Sequence, residues 1–217
     1  LEDKALSTRR YLFSMHMYYI DKRDATPMTA SLAKEIAGTL AEKSRKLMGI
    51  NVARVITKVQ SSNMGWKPLT QKGAVTPDDP WMVMSFVTQD NLPELTDLVE
   101  GVWPSPQTTN DGPIQVAVYE QTADESFLNI GDIYQYNGNQ IQIVGIWRAK
   151  DQYDPRWFEL PYTGYAATLW VPQQTYENRL GAFLPRTVFY TSWYIVYDEK
   201  TVQFTQAPTY AKGMVQM

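Results

Sequence analysis

One histidine, 23 carboxylates and no cysteine are the material from which this 217-residue chain would have to build a chemical site. The missing cysteines exclude thiolate metal sites, thiol nucleophiles and disulfides, and they are compatible with a place outside the cytoplasm. A single imidazole leaves almost nothing for a histidine metal site or a nucleophilic triad. His16 falls beside Ser14 on the less apolar face of YLFSMHMYYI, which reads as a strand histidine, satisfied or exposed. No G-x-S-x-G elbow, phosphate-binding P-loop, Rossmann glycine triplet, H-E-x-x-H helix or EF-hand loop is present.

Paired carboxylates are the next chemistry to test. Asp151 and Asp154 stand among Tyr153, Trp157 and Phe158, a grouping that would suit a sugar cleft with an acid and a base. The simpler reading is a solvated turn, because Asp154 precedes Pro155. Asp78-Asp79 is a turn pair, and no ligand periodicity supports calcium. The aromatics Tyr153, Trp157, Phe158, Tyr162 and Tyr165 form a candidate partner-binding surface. Packing against a hairpin of the same lobe is the heavier reading, since β-rich lobes bury such rings. A net charge of −3 gives no basic footprint for nucleic acid.

The elements that would position these residues begin with an alternating strand at 11–20, where Tyr11, Phe13, Met15, Met17 and Tyr19 share one face. An amphipathic helix is expected over 27–48, capped by Thr26, opened by Pro27 and stopped by Gly49. Its apolar stripe is Leu32, Ile36, Leu40 and Leu47 with Ala33 and Ala37. The strand NVARVITKVQ completes a strand–helix–strand unit, either a parallel crossover or half of a ferredoxin-like sandwich. Residues 61–80 read as a loop and WMVMSFVT as a strand. A short helix follows, capped by Asn91 with Glu94 three residues on, presenting Leu92, Leu95, Leu98 and Val99 and ending at Gly101. WPSPQTTNDGP is irregular and marks a lobe boundary.

Residues 116–147 carry the clearest pattern. Val116 and Val118 oppose Ala117 and Tyr119 on a strand. Ala123, Phe127 and Leu128 then recur at helical spacing, and Asn129 falls where a left-handed residue ends a helix. Asn137-Gly138 predicts a type I′ hairpin. Val144 and Ile146 alternate with Ile141, Ile143 and Trp147, while Gly145 marks a bulge or a close backbone approach. Residues 148–167 read as a long ordered loop, TLWVP as a short strand and 173–180 as a short helix stopped by Gly181. TVFYTSWYIVY reads as a central strand. No apolar run approaches the roughly 18 residues needed to span a bilayer. The polar start and a C-terminal helix that ends uncapped suggest a piece of a longer protein.

From residue 101 onward the chain resembles the extracytoplasmic core domain of MacB/FtsX-like ABC transporter permeases. Gly101-Val102-Trp103-Pro104 is similar to a family turn in which Val102 replaces the usual arginine. VAVYEQTADESFLNIGDIYQY, with its Gly131-Asp132 turn, then IQIVGIWRAKD, LWVPQQTYENRLG and SWYIVYDEKTV resemble successive family elements in order. The resemblance implies a domain set between two membrane helices on the outer side of the cell membrane, without catalysis or cofactor of its own. ATP would be used by a separate nucleotide-binding domain. Implied partners are a cytoplasmic ATPase reached through the membrane helices, a second permease copy, and a substrate or protein outside the cytoplasm. The domain's work would be mechanical. The alternative is a free-standing extracellular binding module using the aromatic loop 153–165. The expected fold is α+β with two lobes. A discontinuous α/β lobe takes residues 1–98 and 190–217, and a β-rich lobe with short helices is inserted over 99–189.

Overall fold

The elements follow one another closely along the chain. β1 (Ser14–Ile20) alternates as expected, with Met15, Met17 and Tyr19 half-buried and His16 exposed. α1 (Ala30–Met48) starts later than its apolar pattern suggests. Thr29 rather than Thr26 caps it, its hydroxyl accepting from the Leu32 amide at 3.0 Å. Gly49 ends it in the left-handed region at φ 70°, as expected. β2 (Val52–Gln60), β3 (Met64–Thr70), β4 (Met82–Gln89), α2 (Leu92–Leu95), β5 (Thr96–Gly101), β6 (Ile114–Tyr119), α3 (Glu120–Glu125), β7 (Ile133–Tyr136) and β8 (Asn139–Ala149) come next. α4 (Pro161–Gly164), β9 (Thr168–Trp170), α5 (Gln173–Thr175, continued by a π-helical turn over Tyr176–Leu180), β10 (Tyr190–Tyr197) and α6 (Ala207–Val215) complete the chain. The structure is a computed structural model and describes residues 14–22, 26–70, 82–154, 156–157, 159–184 and 186–217. Tyr11, Phe13, Asp78, Asp79, Trp81 and Phe158 lie outside the described residues.

The chain is a mixed α+β fold on a ten-stranded sheet. β10 lies between β1 and β2 and runs antiparallel to both. β1 and β2 are therefore parallel but not adjacent, the split form of a βαβ unit found in ferredoxin-like folds. α1 covers this part of the sheet through Ala30, Ala33, Ala37, Leu40, Ser44 and Met48. Leu32 is exposed, and Ile36 and Leu47 are only half-buried, so the helix is rotated from its apolar stripe. Trp193 of β10 gives the reason. Its indole N–H donates to the Ala33 carbonyl at 2.7 Å, and only small side chains fit over a ring that close to the helix axis.

Beyond β2 the ladder closes on itself. β4 pairs with β3, β3 with β7, β7 with β8, β8 with β6, β6 with β9, and β9 returns to β4. Met64, Trp66, Phe86, Val116, Val118, Ile141, Ile143 and Leu169 share the core of this circuit. The loop expected over 61–80 is thus a strand across Met64–Thr70. Pro68 is accommodated there because the β3–β7 register shifts beside it. The helix expected to run to Gly101 is a single turn. Asn91 is left-handed at φ 60° without a side-chain cap bond, and Thr96–Gly101 joins the sheet as β5 against β8. Pairing to β8 satisfies every second backbone group of that segment, which outweighs its local helical pattern.

The hairpin is as expected, with Asn137 at φ 47° and Gly138 at φ 77°. α3 buries Ala123, and the turn after it buries Leu128 but leaves Phe127 exposed. Phe127, not Asn129, takes the left-handed position, at φ 54°. In β8 the register against β6 slips at Val144, so Ile146 continues the inward face of Ile141 and Ile143 while Trp147 turns to the other side. That bulge replaces the simple alternation expected. Gly145 makes it possible, since a Cβ there would stand 2.5 Å from the Val102 carbonyl oxygen. Gly145→Ala is expected to destabilise the fold more than Gly138→Ala. The latter adds only left-handed strain of about 1–2 kcal/mol in open space. Urea denaturation of both variants checks the ranking.

Candidate functional site

The aromatic loop divides into rings that pack and rings that protrude. Trp157 and Tyr165 are buried in a second core with Val87, Leu92, Leu95, Ala117, Trp147 and Trp170. Tyr165 meets Trp147 edge-on at 5.2 Å and Trp157 at 5.8 Å between centroids. Burial takes both out of reach of a partner in this conformation. Tyr153 and Tyr162 are exposed, at 43% and 48%. Phe158 lies outside the described residues.

The carboxylates of this loop fold the chain around themselves. Asp151 Oδ1 accepts from the Tyr153 amide at 2.8 Å, and the Asp151 carbonyl accepts from the Trp157 indole at 2.9 Å. Asp154 is held by Arg156 through its backbone amide, which donates to Oδ1 at 2.8 Å, and through the guanidinium, Nε to Oδ1 at 2.9 Å and Nη2 to Oδ2 at 2.6 Å. The bond from Arg156 holds the Asp154 carboxyl below its ordinary range. A group kept ionised in this way is unsuited to serve as a general acid near neutral pH. Among the described residues, no three or more His, Asp or Glu side chains stand close enough to hold a metal ion.

The feature that sequence reasoning missed is Lys58. It sits in the middle of the apolar β2 pattern, and that position was the signal. Its side chain is 2% exposed. The ammonium donates to Glu159 Oε1 at 2.5 Å and to the Gly164 carbonyl at 2.6 Å, and it lies 4.6 Å from the Tyr165 ring centroid. Burial pushes the Lys58 pKa down, with Glu159 opposing that shift. The Tyr165 hydroxyl donates to Gln89 Oε1. His16 lies within the field of the same pair on an exposed stretch of β1. Partial burial lowers its pKa, the charge of Glu159 raises it and that of Lys58 lowers it.

A cleft of about 410 Å³ opens where Pro27, Met28 and Ser31 at the start of α1 face Tyr176, Glu177 and Leu184. The Glu177 carboxylate is already engaged by the Ser31 hydroxyl at 2.8 Å and the Gln173 amide at 2.8 Å. Among the described residues, the cleft therefore offers a polar rim and no acid–base pair.

Two outcomes follow from this geometry. Trp157→Ala is expected to destabilise the domain by about 3–5 kcal/mol, as for a buried ring, whereas Tyr153→Ala stays within about 0.5 kcal/mol of wild type. Chemical denaturation separates them. The second outcome concerns pH. A carboxyl lowered in the fold contributes stability above its unfolded value of 3.8, and that contribution drains as pH falls through the lowered folded value. Arg156→Ala should accordingly be less stable than wild type at pH 7, and the difference should shrink as pH is lowered below the ordinary carboxylate range, in denaturation curves across that range.

No family model matches the chain, and no curated protein matches it. Solved structures do. The periplasmic region of MacB from Actinobacillus actinomycetemcomitans superposes with a TM-score of 0.51 at 12% identity, covering 99% of this chain and 87% of that one. A domain described as belonging to a permease protein of Porphyromonas gingivalis gives 0.41 at 9% identity, over 82% and 69% of the two chains. No helix among the described residues is long and apolar enough to cross a membrane. The architecture implied by the ordered motifs from Gly101 onward is the one observed: the chain has the fold of the periplasmic region of MacB.

Proposed function

We propose that this chain is the extracytoplasmic domain of an ABC transporter permease. In this reading it performs no reaction and holds no cofactor. It links ATP-driven movement of membrane helices to a substrate or protein outside the cytoplasm. The ATP is spent by a nucleotide-binding domain on the cytoplasmic side, and a second permease copy completes the transporter. One observation carries the proposal: the fold likeness spans nearly all of both chains, so it concerns the whole domain and not a shared fragment. A fold by itself hosts many functions. Further support comes from the resemblance, in order, of the motifs from Gly101 to the acidic turn after Tyr197 to elements of such permeases.

The moving parts would be the lobes expected from sequence, residues 1–98 with 190–217 and residues 99–189, joined through the ladder around β4. Among the described residues of the loop, Tyr153 and Tyr162 are the aromatic side chains that a partner can reach. The binding-module alternative loses Trp157 and Tyr165 to the core, and no specific observation favours it.

The membrane reading is tested in the parent protein, made cysteine-free elsewhere, with Lys46→Cys on the exposed side of α1. A membrane-impermeant maleimide should label this cysteine in intact cells or spheroplasts. Labelling only after permeabilisation would refute an extracytoplasmic location. The coupling reading is tested separately by spin labels at Lys46 and Asn137. Their separation should differ between the ATP-bound and nucleotide-free transporter, and identical distances would leave the location intact while removing the mechanical role.

A further inference from the structure

We propose that residues 159–165 are a strap that is closed over Lys58 against opposing forces and lifts locally, ahead of the rest of the fold. The proposal rests on the geometry of this domain and does not depend on the transport reading.

Three groups of this one segment meet the Lys58 ammonium: the Glu159 carboxylate, the Gly164 carbonyl and the Tyr165 ring. Gly164 is what allows the carboxylate to tuck beneath the strap, because a Cβ there would stand 2.6 Å from both Cγ and Cδ of Glu159. The backbone bonds of α4 are local. Thr163 and Gly164 donate to the Leu160 carbonyl and Tyr165 donates to that of Pro161, each at 2.9 Å. None of the three is a rung of the sheet, so the turn can move as a unit.

Two terms oppose closure. Among the described residues, the ammonium removed from water meets one carboxylate, itself 37% exposed, and burial lowers the Lys58 pKa against the pull of that partner. In addition, the Nε2 of Gln89 and the indole N–H groups of Trp147 and Trp170 are buried without an acceptor. Trp147 and Trp170 belong to the second core, and Gln89 takes the Tyr165 hydroxyl on its other atom. Water reaching Gln89 and Trp147, the two of these residues that Tyr165 touches, would satisfy them when the strap lifts. Closure is favoured by the burial of Tyr165 against Trp147 and Trp157. A buried charge balanced in this way predicts opposite effects for its two halves. Removing the carboxylate strands the charge, whereas replacing the lysine by an apolar chain of similar length removes the opposing term.

The experiment is native-state hydrogen exchange on the 217-residue chain, comparing the amides of Thr163, Gly164 and Tyr165 with those of β10. In wild type the strap amides should exchange faster than β10 through a local opening. Glu159→Gln should accelerate the strap by about 10-fold or more with β10 unchanged. Lys58→Met should slow it below wild type, and the double variant should return it to wild type or slower. Acceleration by Lys58→Met would mean that the ion pair is a net glue and would overturn the proposal. So would a strap that exchanges at the β10 rate in every variant. Should Glu159→Gln fail to fold, Lys58→Met against wild type decides alone.

Discussion

Strand β4 carries buried side chains on both of its faces and hydrogen-bonded neighbours on three stretches of its length, and the rest of the structure depends on that double use. Gln89, Thr88 and Val87 pair with β2, Met82 to Met84 pair with β3, and Ser85 to Val87 pair with β9. Met84 and Phe86 face the core of the closed ladder, whereas Val87 belongs to the aromatic core outside it. The chain leaves β2 for β3 at Ser61, which is fixed to Phe86 from both sides. The Ser61 amide donates to the Phe86 carbonyl, and the Ser61 hydroxyl accepts from the Phe86 amide, each at 2.9 Å. These bonds pair backbone groups of β4 at the place where the two parts of the sheet meet.

The same arrangement explains why a charged residue lies inside. Lys58 is directly opposite Gln89 across the β2–β4 ladder. Its neighbours on β2, Thr57 and Val59, are also buried, so β2 is covered on both faces at this point. The side chain that would be solvent-facing on an edge strand is instead roofed by the segment after β8. Its charge is met by that segment, through Glu159. The covering loop, the aromatic core beneath it and the buried lysine are therefore one packing problem with one solution.

Local chemistry was legible wherever a short segment settles its own conformation. Asn137-Gly138 needs nothing beyond its two residues to turn, and Gly49 ends a helix because its backbone reaches the left-handed region without strain. The alternation of β1, the centrality of β10 and the α+β class were readable for the same reason, since side-chain period reports burial directly. Segments whose fate rests on a distant partner were not. Met64–Thr70 looks like a loop until β7 and β4 are beside it, and Thr96–Gly101 looks helical until β8 is. The rotation of α1 needed Trp193, which lies more than 150 residues away from Ala33.

Of the candidate site, the sequence singled out the aromatics over residues 153–165 as one surface but could not sort the buried rings from the exposed ones. Trp157 and Tyr165 point inward because Trp147 reaches the outer side of β8, and it does so only through the bulge at Val144. The ordered motifs from Gly101 onward pointed to the fold that is observed, because each is a local turn or strand signal that does not need overall identity, here 12%, to be read. What only the tertiary structure decided is how charge is buried. Lys58 is one residue in an otherwise apolar strand, and a sequence carries no record of the carboxylate about a hundred positions away that must meet it, since that pairing exists only once the chain has closed.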